Sequence, residues 1–95
     1  MENNLNLNED IELLLYVGKR LKFLRKNLGL SQEELAYKAG FSRSYYSDVE
    51  TGKRNISILN LYKLSVSLNV PLNEMLDFTE LFNGLCPDLY QRNLI

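Results

Sequence analysis

The sequence predicts an all-α fold, a compact bundle of five helices with a short C-terminal extension, and three observations carry that expectation. Apolar residues recur at spacings of three and four through most of the chain, the signature of helices buried along one face. Ser31, Ser42 and Ser57 stand as N-caps ahead of such runs, and Pro71 suits the first turn of another. Gly29, Gly40, Gly52 and Asn69 follow runs, at places where a left-handed residue stops a helix. No stretch reads as a strand. The expected organisation is a flexible tail over residues 1–8, a helical domain over 9–78 and an extension over 79–95.

The first helix is expected from Glu9 to Leu28, with Asn8 as its cap and Leu14, Val17, Leu21, Leu24 and Leu28 as its apolar stripe. Its early acids, Glu9, Asp10 and Glu12, suit the positive end of the helix dipole. Lys19, Arg20, Lys22, Arg25 and Lys26 load the other half.

The second helix opens after Ser31, and Glu34 completes an S-x-x-E capping box. Leu35, Ala36 and Ala39 mark one side before Gly40. Ser42 then caps a third helix carrying Tyr45, Tyr46, Val49 and Glu50, which ends at Gly52. Two short capped helices joined by a glycine-containing turn match a helix-turn-helix, whose second helix enters the DNA major groove. The same pattern suits an αα corner in any small helical domain.

Ser57 caps a fourth helix over Ile58–Leu68. Leu61, Leu64, Ser65 and Leu68 share one face, while Ile58, Leu59, Tyr62 and Val66 spread onto others, so burial on more than one side is expected. A fifth helix begins after Pro71 and includes Leu72, Met75, Leu76 and Phe78. Leu81, Phe82 and Leu85 continue it until Gly84 and Pro87 break it. Beyond lie Leu89, Tyr90, Leu94 and Ile95, apolar residues that either fold back on the core or form a subunit interface.

Composition narrows the function classes. The 95 residues suffice for one domain with its own core. The chain has no histidine and a single cysteine, Cys86. That removes the commonest general base and metal ligand and any internal disulfide, so neither catalysis, a metal nor a cofactor is expected. The N-terminus is acidic and asparagine-rich, unlike a secretory or transit signal, and no apolar run is long enough to span a bilayer, so the expected location is the cytoplasm.

The net charge of −1 hides a strong asymmetry. Residues 1–18 carry four acids and no base, residues 19–54 nine bases against four acids, and residues 55–95 two bases against four acids. Positive charge is gathered on the segment that holds the two short helices, as on a DNA-facing surface. Lysines and arginines that merely solvate helix faces would give the same count.

The stretch from Leu15 to Leu76 resembles the Xre/Cro-type helix-turn-helix family of bacterial and phage regulators. The most specific parts are GKRLKFLRKNLGLSQEELA, the turn VETG and the ending LNVPLNEML, each at the family's spacing. Within that family, SRSYYSDVETGKRNIS is most similar to the controller proteins of restriction-modification systems, although prophage repressors and antitoxin-like regulators share most of the same residues. The resemblance implies a lambda-repressor-like DNA-binding domain.

It also implies roles. Gln32, with Ser31 beside it, matches a glutamine that anchors a DNA phosphate. Ser42, Arg43, Ser44 and Ser47 occupy the base-reading part of the recognition helix, and an arginine can make two hydrogen bonds to guanine. Tyr45 matches a position that contacts the DNA backbone, and Lys53, Arg54 and Asn55 match a backbone-contacting loop. Glu50 matches a glutamate that pairs with an arginine of the first helix, here Arg25. Tyr46 departs from the family's usual Ile or Leu and brings a hydroxyl that needs a partner if buried. Thr51 stands where controller proteins often have arginine.

Together these readings lead to a homodimeric regulator that binds a palindromic operator in double-stranded DNA, with no membrane and no small-molecule substrate. The subunit face is expected from Leu59, Tyr62, Met75, Phe78 and Phe82. A protein-interaction module built on the same fold is the rival from another class.

Overall fold

The computed structural model describes residues 7–85, which form six helices and no strand. They are α1 (Leu7–Asn27), α2 (Gln32–Ala39), α3 (Arg43–Glu50), α4 (Ile58–Leu68), α5 (Leu72–Met75) and α6 (Thr79–Leu85). The N-terminal residues 1–6, Cys86, Pro87 and the apolar group Leu89, Tyr90, Leu94 and Ile95 lie outside the described residues.

The capping chemistry sets most boundaries. The Ser31 hydroxyl accepts from the Glu34 amide while the Glu34 carboxylate accepts from the Ser31 amide, closing the box at the start of α2. The hydroxyls of Ser42 and Ser57 accept from the amides of Tyr45 and Asn60. Gly40 ends α2 in the left-handed region at φ 81°, and Asn69 does the same for α4 at φ 58°, the side chain best suited to that region after glycine.

Three expectations about the elements change. The first helix already includes Leu7, so Asn8 lies inside its first turn instead of capping it, and Leu28 falls beyond its end with 52% of its surface exposed. The fifth helix is broken in two. Leu76 leaves helical geometry, and the Asp77 carboxylate accepts from the Thr79 amide (3.2 Å) and hydroxyl (2.6 Å) where α6 starts. The carbonyls freed at this break are taken up by α1: Arg20 donates to Glu74 O and Met75 O, and Tyr16 donates to Asp77 O. Finally, Met75 is fully buried and cannot belong to a subunit face, because the single turn of α5 drops its side chain into the core.

That core joins Val17 and Leu21 of α1, Leu35 and Ala36 of α2, Tyr46 and Val49 of α3, Ile56, and Leu61, Leu64 and Leu68 of α4 to Met75. Where α1 crosses the end of α3 the backbones nearly touch. A Cβ at Gly18 would collide with the Glu50 carbonyl, so only glycine permits this approach. One face of α4 stays open: Ile58, Leu59, Tyr62 and Val66 are 55–65% exposed.

Candidate nucleic-acid interface

α2 and α3 are joined by Gly40, Phe41 and Ser42. The Phe41 amide donates to Ala36 O (2.8 Å), and its ring meets Tyr45 edge-on at 5.1 Å, which fixes the angle between the helices. α3 buries Tyr46, Val49 and Glu50 and turns Arg43 and Ser44 fully outward. Arg43, Ser44, Ser47 and Asp48 line one open groove of about 440 Å³. Ser42 adjoins it, with one lone pair committed to capping α3.

The far end of α3 is clamped by a buried polar network. Arg25 of α1 donates from Nε to Glu50 Oε2 (2.6 Å) and from Nη2 to Oε1 (3.2 Å), and its Nη1 donates to Leu30 O (2.7 Å). The Tyr46 hydroxyl donates to Glu50 Oε2 (2.5 Å), and Gln32 Nε2 donates to Oε1 (2.8 Å). Burial pushes the Glu50 carboxyl up, but hydrogen bonds from Arg25, Tyr46 and Gln32 outweigh it and hold the pKa below its ordinary value. Burial, then the adjacent Glu50 carboxylate, pushes the Tyr46 phenol up, so it stays protonated and donates. The departure at Tyr46 is thereby explained. Its hydroxyl completes the coordination of Glu50 without leaving the core.

Arg25 and Glu50 are therefore brought together. Gln32 is brought to the same carboxylate, which uses one of its two amide hydrogens and leaves the other for a group outside. Ser31 is occupied by its capping box. Lys53, Arg54 and Asn55 are exposed in the loop after α3. Arg54 sits over the Tyr45 ring, 5.2 Å from its centre, with its Nε 3.8 Å from Asp48 Oδ2. The Tyr45 hydroxyl accepts from Asn60 Nδ2 of α4 (3.0 Å).

The structure does not bring the expected subunit residues to one face. Leu59 and Tyr62 share the open side of α4, Phe78 is half-buried and edge-on to Tyr16 at 5.5 Å, Phe82 is exposed on α6, and Met75 is enclosed. Two residues escaped the sequence reading. Asp48 follows Ser44 by one helical turn, a spacing that would have placed it in the groove. Asn60 meets Tyr45 across the fold, and nothing in the sequence marks that contact.

Among the described residues no cluster of three or more potential metal ligands occurs, and no helix is long and apolar enough to cross a membrane.

A two-turn helix with arginine and serines along its outward groove, held from behind by two other helices and flanked by a cationic loop, defines a helix-turn-helix module of the kind that sets its second helix in a DNA groove. The chain belongs to the helix-turn-helix family HTH_3, whose model matches residues 21–75. Control protein C.MunI of a Mycoplasma species is 43% identical over 65 residues, covering 67% of this chain and 88% of that one. The crystal structure of the restriction-modification controller protein C.AhdI from Aeromonas hydrophila matches with a TM-score of 0.64 and 45% identity, over 65% of this chain and 94% of that one. The controller protein C.Esp1396I, solved as a tetramer in complex with its natural operator, matches with a TM-score of 0.64 and 33% identity, over 70% of this chain and 87% of that one.

Proposed function

We propose that this chain is a sequence-specific DNA-binding transcriptional regulator of the controller type, acting in the cytoplasm as a homodimer on a palindromic operator. The observation that carries the reading is the outward groove of α3, where Arg43, Ser44 and Ser47 lie side by side while Glu50 ties the helix end to α1. A guanidinium at the start of a recognition helix can satisfy guanine O6 and N7 together. Lys53 and Arg54 at its far end suit phosphates, which set register without reading sequence.

The open face of α4 supplies the subunit contact. Ile58, Leu59, Tyr62 and Val66 are too apolar and too exposed for a helix left facing water, and a second copy of the same face would cover them. A two-fold axis there would set two recognition helices to read half-sites roughly 34 Å apart. A dimer lying on a promoter blocks polymerase, and one placed upstream can recruit it. The relatives are regulators by name, and no side-chain constellation for catalysis competes with that role among the described residues.

The test is a pair of substitutions measured on a duplex that the protein selects from a randomised library and on random DNA. Arg43→Ala should cost about 1–3 kcal/mol on the selected duplex and relax preference at one base pair. Arg54→Ala should weaken binding to all sequences and reduce the salt slope by about one per half-site. Equal losses on selected and random DNA for Arg43→Ala would remove the base-reading role. A protein that selects no duplex and yet captures a protein partner would favour the interaction-module reading.

A further inference from the structure

The hydrogen bond from α4 to α3 has a direction, and the direction matters. Asn60 Nδ2 donates to the Tyr45 hydroxyl oxygen at 3.0 Å, so the phenol's lone pair faces α4 and its proton faces away. Among the described residues the Tyr45 hydroxyl donates no hydrogen bond. The Arg54 guanidinium lies over the same ring, 5.2 Å from its centre, with its Nε 3.8 Å from Asp48, too far for a hydrogen bond. One neutral O–H donor and one cationic fork thus stand together at the edge of the α3 groove with donor capacity to spare.

We propose that Asn60 is a positioning residue for DNA binding. Its amide turns the Tyr45 proton outward, so that Tyr45 and Arg54 act as a paired donor set for one backbone phosphate. The proposal rests on the DNA-binding reading above and goes further in assigning α4 a part in the interface. Asn60 directly follows Leu59 of the open α4 face, so the helix that would meet a second subunit also holds a DNA-contacting side chain.

Asn60→Asp tests the direction of the bond. A carboxylate keeps a hydrogen bond to Tyr45 but can only accept it, so the phenol's proton turns inward and is lost to phosphate. The added charge also weakens DNA binding by itself, and a Tyr45→Phe background isolates that part. On the duplex that the wild-type protein selects from a randomised library, Tyr45→Phe should weaken binding at least about tenfold, the lower end of the range for a hydrogen bond to a charged group. Asn60→Asp should then weaken the wild type about tenfold more than it weakens Tyr45→Phe. Equal fold-changes in the two backgrounds would overturn the proposal, since they would mean that the asparagine oxygen already takes the phenol's proton, and so would no effect in either. If Asn60→Asp fails to fold, as read by its thermal midpoint, Asn60→Glu replaces it under the same criterion, since its carboxylate likewise accepts and cannot donate. A wild-type protein that selects no duplex would instead defeat the DNA-binding reading itself.

Discussion

Removing Arg25 is the sharpest test of how the recognition helix is held. Its guanidinium makes two of the four hydrogen bonds on the Glu50 carboxylate, and both side chains are more than nine-tenths buried. In Arg25→Met the carboxylate would keep Tyr46 and Gln32 but lose its counter-charge, and Leu30 O would lose its donor. Deleting one partner of a buried pair costs about 3–5 kcal/mol. For a chain of this length total stability is about 5–14 kcal/mol, so this single change removes a large share of it. Arg25→Met with Glu50→Leu removes the orphaned charge, leaving an unpaired Tyr46 hydroxyl worth about 1–3 kcal/mol. Adding Tyr46→Phe should bring the triple variant to within about 1 kcal/mol of wild type, since apolar groups of similar volume often replace a buried ion pair without loss. Urea unfolding at pH 7, read from midpoint and slope together, measures all three. A loss below about 1 kcal/mol for Arg25→Met, or a triple variant no more stable than that single one, would refute the reasoning.

The same network fixes a pH dependence. The Glu50 carboxyl lies below its ordinary value of 4.5 in the folded protein, so its contribution is full above that value and is lost as pH falls through the lower folded one; Glu50→Gln should show a shallower acid limb in stability against pH. Gly18→Ala forces a methyl into the Glu50 carbonyl and should cost about 1–3 kcal/mol, with a thermal midpoint lower by about 4–8 °C per kcal/mol; an unchanged midpoint would mean that the helices part freely. Asp48 lines the groove with Arg43, and among base edges a carboxylate accepts only from amino groups, so Asp48→Asn should shift preference at one base pair by about 1–3 kcal/mol; a uniform gain on all duplexes would limit Asp48 to a charge effect. Leu59→Glu with Tyr62→Glu should convert a concentration-dependent dimer to monomer in sedimentation; unchanged assembly would move the subunit contact elsewhere.

Helix existence was legible because it depends on local chemistry: Ser31, Ser42 and Ser57 cap where their spacing says, and Gly40 and Asn69 stop what they follow. The break between α5 and α6 was not, because it needs Arg20 and Tyr16, more than fifty residues away, to donate to the carbonyls it frees. Met75 misled for a related reason. An apolar residue after a proline looks alike on a core face and on a subunit face, and only the single-turn length of α5 decides between them. In the site, the place of Arg43, Ser44 and Ser47 on the second short helix came from the family resemblance, and their outward groove agrees with that place. The partners Gln32–Glu50 and Asn60–Tyr45 are tertiary contacts between polar residues, which leave no periodicity to read.

An isolated helix as short as α3, with eight residues, is unstable in water, so its orientation must come from what grips it. It is gripped at both ends. At the C-terminal end Glu50 takes hydrogen bonds from α1, α2 and its own Tyr46, and Gly18 lets α1 close against it. Nearer the start, Asn60 of α4 holds Tyr45, and Phe41 packs on the same ring. Between these anchors the side chains of Arg43, Ser44 and Ser47 make no hydrogen bond or ion pair among the described residues, and that of Asp48 meets only the exposed Arg54 at 3.8 Å, so these positions can vary without loosening the fold. A regulator can then change operator by changing those residues alone. Exchanging Arg43, Ser44 and Ser47 should alter the selected sequence while leaving the unfolding free energy within about 0.5 kcal/mol of wild type, as for surface positions generally.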